Sequence, residues 1–453
     1  MSESKTKPGL GGRNWLALVI FGLFGQIAWT IENLYFNLFL YKTVTYDPNA
    51  VAVMVAASAI VATLTTLLMG AASDKTGKRK PFISFGYILW GLSIMVFALI
   101  TKENTARLFP AANAVTMTAA IVVVMDCVMT YFGSTANDAA FNAWVTDITV
   151  PETRGRAEGV LSALPLAAIL ILFGGLDFLA KENNWALLYV LIGVTVSLCG
   201  LLGLFLLKDK PGLAMEKTDL LYGFRPSVIK ANKQLYLLLV LMGIFSVSMQ
   251  IFFPYLMIYL EFSLALENYA ILLGIVLVCA AAISVLGGRL VDKYGKKKFF
   301  FPAGIVLVAG LVLMYVHGAY LKGTAMSLPL LAIFAILMMG ANLLLTALFN
   351  AAVRDYTPEA QRGHFNGIRM IFFVLIPMVA GPFIGARIIR SGPAYLDEFG
   401  AAQIIPNAGI FLGAALVALL MFVPMAVVVR RMKAEQAGEK IISGEDQMKG
   451  EHD

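Results

Sequence analysis

Three carboxylates stand where a chain this apolar has little room for charge. Glu32, Asp126 and Asp138 each fall inside a long hydrophobic run. An ionised carboxylate at the centre of a bilayer costs about 2.5–3.5 kcal/mol on insertion scales, so such a group is paired, bound to a cation or protonated. The chemistry this permits is reversible binding of H+ or Na+, which makes all three candidate cation-coupling residues. For Glu32 and Asp138 the alternative is a structural ion pair with a basic residue such as Arg369. Asp126, like Asp177, is expected nearer one end of its helix, where water can solvate it. His317 and His364 fall at the end of a run and in a loop, so a mid-span histidine relay is excluded.

Polar side chains gather around these acids at helical spacing. At about 100° per residue, Gln26, Trp29, Thr30, Asn33, Asn37 and Tyr41 share roughly a third of one helix surface. Thr130, Ser134 and Asn137 share a face with Asp126, and Asp138 lies at its edge. Later in the chain Asn342, Thr346 and Asn350 step by four toward Arg354, and Gln250 with Ser246 makes a thinner face. Amides and hydroxyls can grip the hydroxyls of a polar solute, and an indole offers a stacking surface. Gln26, Trp29, Thr30, Asn33, Asn37, Thr130, Ser134, Asn137, Gln250, Asn342 and Thr346 are therefore candidate substrate-binding residues. The same side chains could instead bind helix to helix through hydrogen bonds.

The elements that must carry these groups follow from composition. Of 453 residues, 59% are hydrophobic and 14% charged, with a mean hydropathy of +0.79. A soluble domain is about 45–50% apolar and about 25% charged, so the excess must face lipid. Runs long enough to span a bilayer occur near 14–41, 50–73, 81–100, 114–146, 157–180 and 185–207. Six more lie near 234–261, 267–291, 299–321, 326–353, 364–389 and 403–429. The expected fold is an all-α membrane protein of twelve transmembrane helices in two pseudo-symmetric six-helix bundles, 14–207 and 234–430. Residues 1–13, 208–233 and 431–453 form an N-terminal tail, a linker and a charged C-terminal tail. The first run has no small-residue cleavage site after it and reads as a retained span.

Basic residues cluster in alternate loops: Lys75, Lys78, Arg79 and Lys80, then Arg154 and Arg156, then Lys293 and Lys296 to Lys298. That bias places these loops, the linker and both termini in the cytoplasm of a cell membrane. The formal net charge of +7 is thus topological, and no aromatic-interleaved basic domain exists to bind nucleic acid. Cys127, Cys199 and Cys279 lie in apolar runs at unrelated spacings, which fits neither a disulfide framework nor a metal site.

Two polar blocks recur. FNAWVTDITVPETRGRAEG at 141–159 is echoed by FNAAVRDYTPEAQRGHFNG at 349–367, an offset of 208. The loop GAASDKTGKRKP at 70–81 returns as GRLVDKYGKKKF at 288–299, an offset of 218. Two blocks in matching order mark two halves of common design. Gly70 and Gly288 are expected to let helices approach closely, and Asp74 and Asp292 to pair with nearby basic groups. With Gly77, Arg79, Asp147, Arg154, Gly295, Asp355 and Arg362 they are candidate gating residues. KTGKRK lacks the spacing of a phosphate-binding loop, so ATP drive is excluded.

The doubled G-x-x-x-D-K-x-G-K-[RK]-K loop in a 6+6 chain resembles the major facilitator superfamily over nearly the whole sequence. Within it, the basic loop closing on Lys-Pro-Phe-Ile at 80–83, an Asp ending the fourth and tenth spans, and F-x-G in the eleventh resemble the glycoside–pentoside–hexuronide:cation symporters and sucrose-type carriers. The resemblance implies sugar or glycoside transport by alternating access. The acids that sodium-coupled members carry in the second span stand here as Ala62 and Thr66, and their lysine in the eleventh as Val374. Sodium coupling through that site is not expected.

The expected function is a monomeric, cofactor-free secondary transporter in a lipid bilayer, moving a small polar solute with H+ or another cation such as Na+. The alternative is an exporter of amphiphilic drugs or lipids by cation antiport, which calls for an aromatic and methionine-rich cavity. HExxH, GxSxG and Cys/His cluster motifs are absent from the sequence, so no enzyme is expected.

Overall fold

A computed structural model of the protein describes residues 10–209, 222–358, 362–392, 395–396 and 402–434. Twelve helices long and apolar enough to cross a membrane occur among them. They are α1 (Gly12–Val44), α2 (Pro48–Thr76), α3 (Lys80–Leu99), α4 (Ala114–Ile148), α5 (Pro151–Gly175) and α6 (Trp185–Leu206). The second six are α7 (Lys233–Ser263), α8 (Tyr269–Tyr294), α9 (Lys296–Leu321), α10 (Ser327–Tyr356), α11 (Gly367–Arg390) and α12 (Gly409–Ala434). The chain is a multi-pass integral membrane protein. Phe205 and Val423, 79% and 72% exposed, show the kind of surface that only lipid can cover.

The expected boundaries differ from these most at α5, which begins at Pro151 rather than near 157, and at α12, which begins at Gly409 rather than near 403. A two-residue antiparallel ladder, β1 (Tyr395–Leu396) with β2 (Ala402–Gln403), occupies the apolar residues before it, in the register Tyr395↔Gln403. Residues 1–9 and 435–453 of the tails and residues 210–221 of the linker lie outside the described residues.

The helix ends obey local chemistry. Asp47 caps α2 by accepting the Asn49 N–H at 3.0 Å, and Asn113 caps α4 by accepting that of Thr116 at 3.0 Å. The repeated Gly of the basic loop is a helix stop. Gly77 has φ +62° and its N–H bonds back to the carbonyls of Ser73 and Asp74, and Gly295 has φ +87° with its N–H on the Val291 carbonyl. An L side chain is strained in that conformation, which accounts for glycine in both halves.

Packing divides the chain into two compact units. The first comprises Met1–Leu220, Phe253–Gly274 and Met378–Asn407, so α1–α6 are joined by one end of α7, the first residues of α8 and the later part of α11. The second comprises Leu221–Phe252, Ile275–Pro377 and Ala408–Asp453. Inside the first unit α3 and α6 cross on glycines: a Cβ on Gly91 would lie 2.3 Å from the Gly193 carbonyl oxygen, and one on Gly193 2.5 Å from that of Gly91. In the second unit a Cβ on Gly310 of α9 would lie 2.8 Å from the Met338 Cα of α10. Lipid supplies no hydrophobic drive between helices, so close backbone approach must supply the contact energy.

Several helices open into π turns. In α1 these are Ile31–Phe36 and Leu40–Val44, in α4 Ser134–Phe141, in α7 Tyr259–Ser263 and in α11 Ile371–Leu375. A π turn widens the helix and rotates every residue beyond it relative to a uniform α period. The faces expected at 100° per residue therefore do not persist through α1 and α4.

Candidate functional site

Glu32 sits at the start of the π turn of α1 and is 6% exposed. Its Oε1 accepts the Thr130 hydroxyl of α4 at 2.9 Å, and its Oε2 has no hydrogen-bond partner. One turn before Thr130, Asp126 is 1% exposed and leaves Oδ1 without a partner, while Ser58 of α2 donates to the Val55 carbonyl of its own helix at 3.1 Å. Glu32 thus meets α4 at Thr130, with Asp126 one turn before that contact and Asp138 two turns after it. Asp138 is half-buried and accepts the Ser134 hydroxyl at 3.1 Å. Among the described residues none of the three forms an ion pair.

Two expectations are corrected here. Asp126 is not a solvated residue near a helix end but a buried member of the Glu32 cluster. Asp177 is 2% exposed and held by Tyr35 and Lys181. Counting residues from a helix end measures depth along the bilayer, whereas their burial comes from neighbouring helices. Arg369, the ion-pair partner considered for Glu32 and Asp138, instead donates to Asn350 Oδ1 at 2.9 Å in the second unit.

The amide stripe is divided between solvating and packing roles. Asn137 is fully occupied, with its Oδ1 accepting Trp29 Nε1 at 3.2 Å and its Nδ2 donating to the Tyr87 hydroxyl at 2.7 Å. Tyr87 passes its own proton to the Phe21 carbonyl at 2.6 Å, so a hydrogen-bond chain ties α1, α3 and α4 together. Gly25 makes room for it: a Cβ there would lie 2.3 Å from Asn137 Nδ2. Thr30, Asn33 and Asn37 each donate to the carbonyl four residues back in α1. Gln26 and Asn33 remain half-buried, whereas Asn37 is buried with Oδ1 unpartnered. In the second unit Gln250, Asn342 and Thr346 are half-buried, and the Thr346 hydroxyl turns back to the Asn342 carbonyl at 2.8 Å.

The basic corner of the first unit closes on Arg79. Its guanidinium bonds Asp74 Oδ1 at 2.5 Å, Asp147 Oδ2 at 3.0 Å and Ser73 Oγ at 2.6 Å. Burial alone would weaken the cation, but the hydrogen bonds it donates to Asp147 and Asp74, and their charges, hold it above its usual value. Asp209, just past α6, accepts the backbone N–H groups of Arg79 and Lys80 at 2.7 and 2.8 Å and so caps α3 from outside. In the second unit Lys296 pairs with Asp355 at 2.6 Å, while Asp292 is exposed. Gly70 has only Ala139 Cβ at 4.0 Å and Gly288 nothing within 4 Å, so close approach does not explain these two glycines. Arg154 is half-buried in the first turn of α5, and the Arg362 side chain lies outside the described residues.

Arg79→Ala would leave Asp74 and Asp147 facing each other without the cation. Losing one partner of a fully buried pair costs about 3–5 kcal/mol. Asp74 is partly exposed, so we expect about 2–3 kcal/mol, read as a lower thermal midpoint in detergent. An unchanged midpoint would remove Arg79 from any structural account of this corner. Asp209→Ala should cost about 1 kcal/mol, the size of a lost cap.

Tyr87 and Asp209 are positioning residues that sequence patterns did not single out.

The family model of the Major Facilitator Superfamily matches residues 17–284 and 238–446. The chain is 25% identical over 244 residues to an uncharacterized MFS-type transporter, MJ1317, of Methanocaldococcus jannaschii, a match covering 52% of this chain and 56% of that protein. Among solved structures it resembles the nucleoside transporter NupG with TM-score 0.62 and 13% identity, covering 91% of this chain and 98% of that one. A bacterial homolog of the human lysosomal transporter Spinster gives TM-score 0.64 at 16% identity, over 92% and 96% of the two chains. An inward-facing bacterial homologue of the iron transporter ferroportin gives TM-score 0.64 at 14% identity, over 92% and 98%. At such identities these structures show a shared fold. From the family match and the twelve-helix architecture, the chain belongs to the Major Facilitator Superfamily.

Proposed function

We propose that the protein is a secondary active transporter that moves a small polar solute by alternating access, with cation binding at Glu32 and Asp126 as the coupling step. The observation that carries this reading is the pair itself. Glu32 is buried on Thr130 and Asp126 is buried one turn before it on the same helix, with an unpartnered oxygen on each and no ion pair to either among the described residues. Two ionised carboxylates are costly in such a place, so a proton or a monovalent cation resides there in at least one conformation. Its release then changes which conformation is favoured.

Gln26, Asn33 and Asp138 in the first unit, and Gln250, Asn342 and Thr346 in the second, are the half-buried polar groups offered to a solute. Their amide and hydroxyl chemistry, with the resemblance to glycoside carriers, favours a sugar or glycoside. The solved relatives include a nucleoside transporter, whose ribose presents the same hydroxyl chemistry. The basic loops and both termini are assigned to the cytoplasm by their charge. An exporter of amphiphiles by cation antiport remains the second reading, supported by the methionine- and phenylalanine-rich composition, with 21 and 30 of each.

Counterflow in proteoliposomes with a panel of saccharides and nucleosides, repeated under separately imposed pH and Na+ gradients, tests both parts. Exchange of a saccharide, accelerated by one gradient, is the expected result. Exchange of a hydrophobic cation with none of the polar solutes would replace the sugar reading with the exporter.

A further inference from the structure

Tyr35 stands three residues beyond Glu32 in the same π turn of α1 but points to a different cluster. Its hydroxyl donates to Asp177 Oδ1 at 3.0 Å, in the connection between α5 and α6. Tyr269, the first residue of α8, donates to the same oxygen at 3.4 Å. Lys181 pairs with Asp177 Oδ2 at 3.4 Å and lies 5.5 Å from the centre of the Tyr269 ring. A second joint lies alongside: Lys42 near the end of α1 bonds Glu261 of α7 at 2.7 Å and reaches the Ala180 carbonyl at 3.5 Å. Tyr41 donates to the Ile404 carbonyl ahead of α12 at 2.8 Å. Tyr255 of α7 donates to the carbonyls of Pro48 and Pro382, at 3.1 and 2.8 Å.

All of these residues belong to the first unit and lie toward the end opposite the basic loops. The cluster gathers α7, the start of α8 and the approach to α12 onto α1 and the α5–α6 connection. Asp177 accepts two tyrosines, from α1 and α8, which lie more than 200 residues apart in sequence.

We propose that Asp177 is the shared acceptor of a latch that holds this end shut, with Tyr35, Tyr269 and Lys181 as its other arms and Lys42–Glu261 as a parallel strut. Opening toward this side requires Tyr269 and Glu261 to leave α1 and the α5–α6 connection, so these bonds break together. The bonds are short-range and directional, which makes the latch two-state. Its parts are positioning residues that touch no solute. The latch holds whichever solute or cation the protein carries, so its failure and that of the transport reading are separable.

The test is a distance measurement across the joint. Spin labels at Glu182→Cys and Glu267→Cys, both exposed positions, flank Asp177 and Tyr269 in full-length protein whose native cysteines have been replaced. Double electron–electron resonance in detergent micelles, without added solute, should show mainly a short distance in the otherwise native protein. Asp177→Ala removes the common acceptor, and Tyr35→Phe with Tyr269→Phe removes the donors while keeping the carboxylate. Each should raise the long-distance fraction at least threefold while the monodisperse chromatographic peak is kept. Lys102→Ala, on a neighbouring exposed loop, should leave it unchanged. If Asp177→Ala fails to fold, the tyrosine pair alone decides. An unaltered distance distribution in the folded tyrosine variant would overturn the latch.

Discussion

Glu32→Gln is expected to abolish gradient-driven accumulation while leaving energy-independent exchange within about threefold of the native rate. Glutamine keeps an oxygen for the Thr130 hydroxyl, which lies 2.9 Å from Glu32 Oε1, so packing is conserved. What it removes is the change of charge. A carboxylate at this depth costs about 2.5–3.5 kcal/mol when ionised, which corresponds to roughly 100-fold in a conformational equilibrium. Uphill accumulation draws on that difference, whereas counterflow needs only that the loaded protein cycles. Asp126→Asn should act in the same direction because it sits in the same cluster with an unpartnered oxygen. Asp138→Asn should act less, since Asp138 is half-buried and has Ser134 to satisfy it. The measurement is uptake of a saccharide that passes the counterflow screen, with and without an imposed pH or Na+ gradient. Full accumulation in both Glu32→Gln and Asp126→Asn would place coupling elsewhere.

The second large effect concerns folding. Gly91→Ala is expected to prevent α3 and α6 from docking. The new Cβ would sit 2.3 Å from the Gly193 carbonyl oxygen and 2.5 Å from the Ser197 nitrogen, which are backbone atoms of a facing helix. A flexible side chain could move aside, but a helix backbone moves only by separating the pair. Overpacking in a tight core costs about 1–3 kcal/mol and more when backbone must shift, so we expect about 4 kcal/mol here. Gly193→Ala meets the Gly91 carbonyl and should behave alike. Gly174→Ala has nothing within 4 Å and should be neutral or stabilising by up to about 1 kcal/mol, as alanine is the better helix former. Yield of monodisperse protein and thermal midpoint separate the cases. A Gly91→Ala midpoint equal to that of Gly174→Ala would show that the crossing tolerates separation.

The polar stripes show where sequence reading ran short. A uniform helical period placed Asp126, Thr130, Ser134 and Asn137 on one face of α4. The π turn at Ser134–Phe141 breaks that face in two. Thr130 meets Glu32, while Asn137 turns to Trp29 and Tyr87. Asn137→Ala should accordingly cost stability of about 1–3 kcal/mol, the penalty of leaving buried donors and acceptors unpaired. The ion pair of the basic loop was more legible, because Arg79 lies five residues from Asp74 and the pair needs only a helix end and a turn. Its third partner, Asp147, came from a different repeat, and only packing brought the two motifs together.

By itself the sequence determined the twelve spans, the repeated motifs and the gathering of basic residues in alternate loops. Those properties are set by hydrophobicity, spacing and local capping, which depend on residues a few positions apart. The tertiary structure alone decided that Glu32 and Asp126 share one cluster and that Asn137 is bound up in packing. It also decided that Asp177 serves as a junction for distant helices. These depend on which helix faces which, and that is governed by glycine-permitted crossings and by π turns that no periodic pattern records.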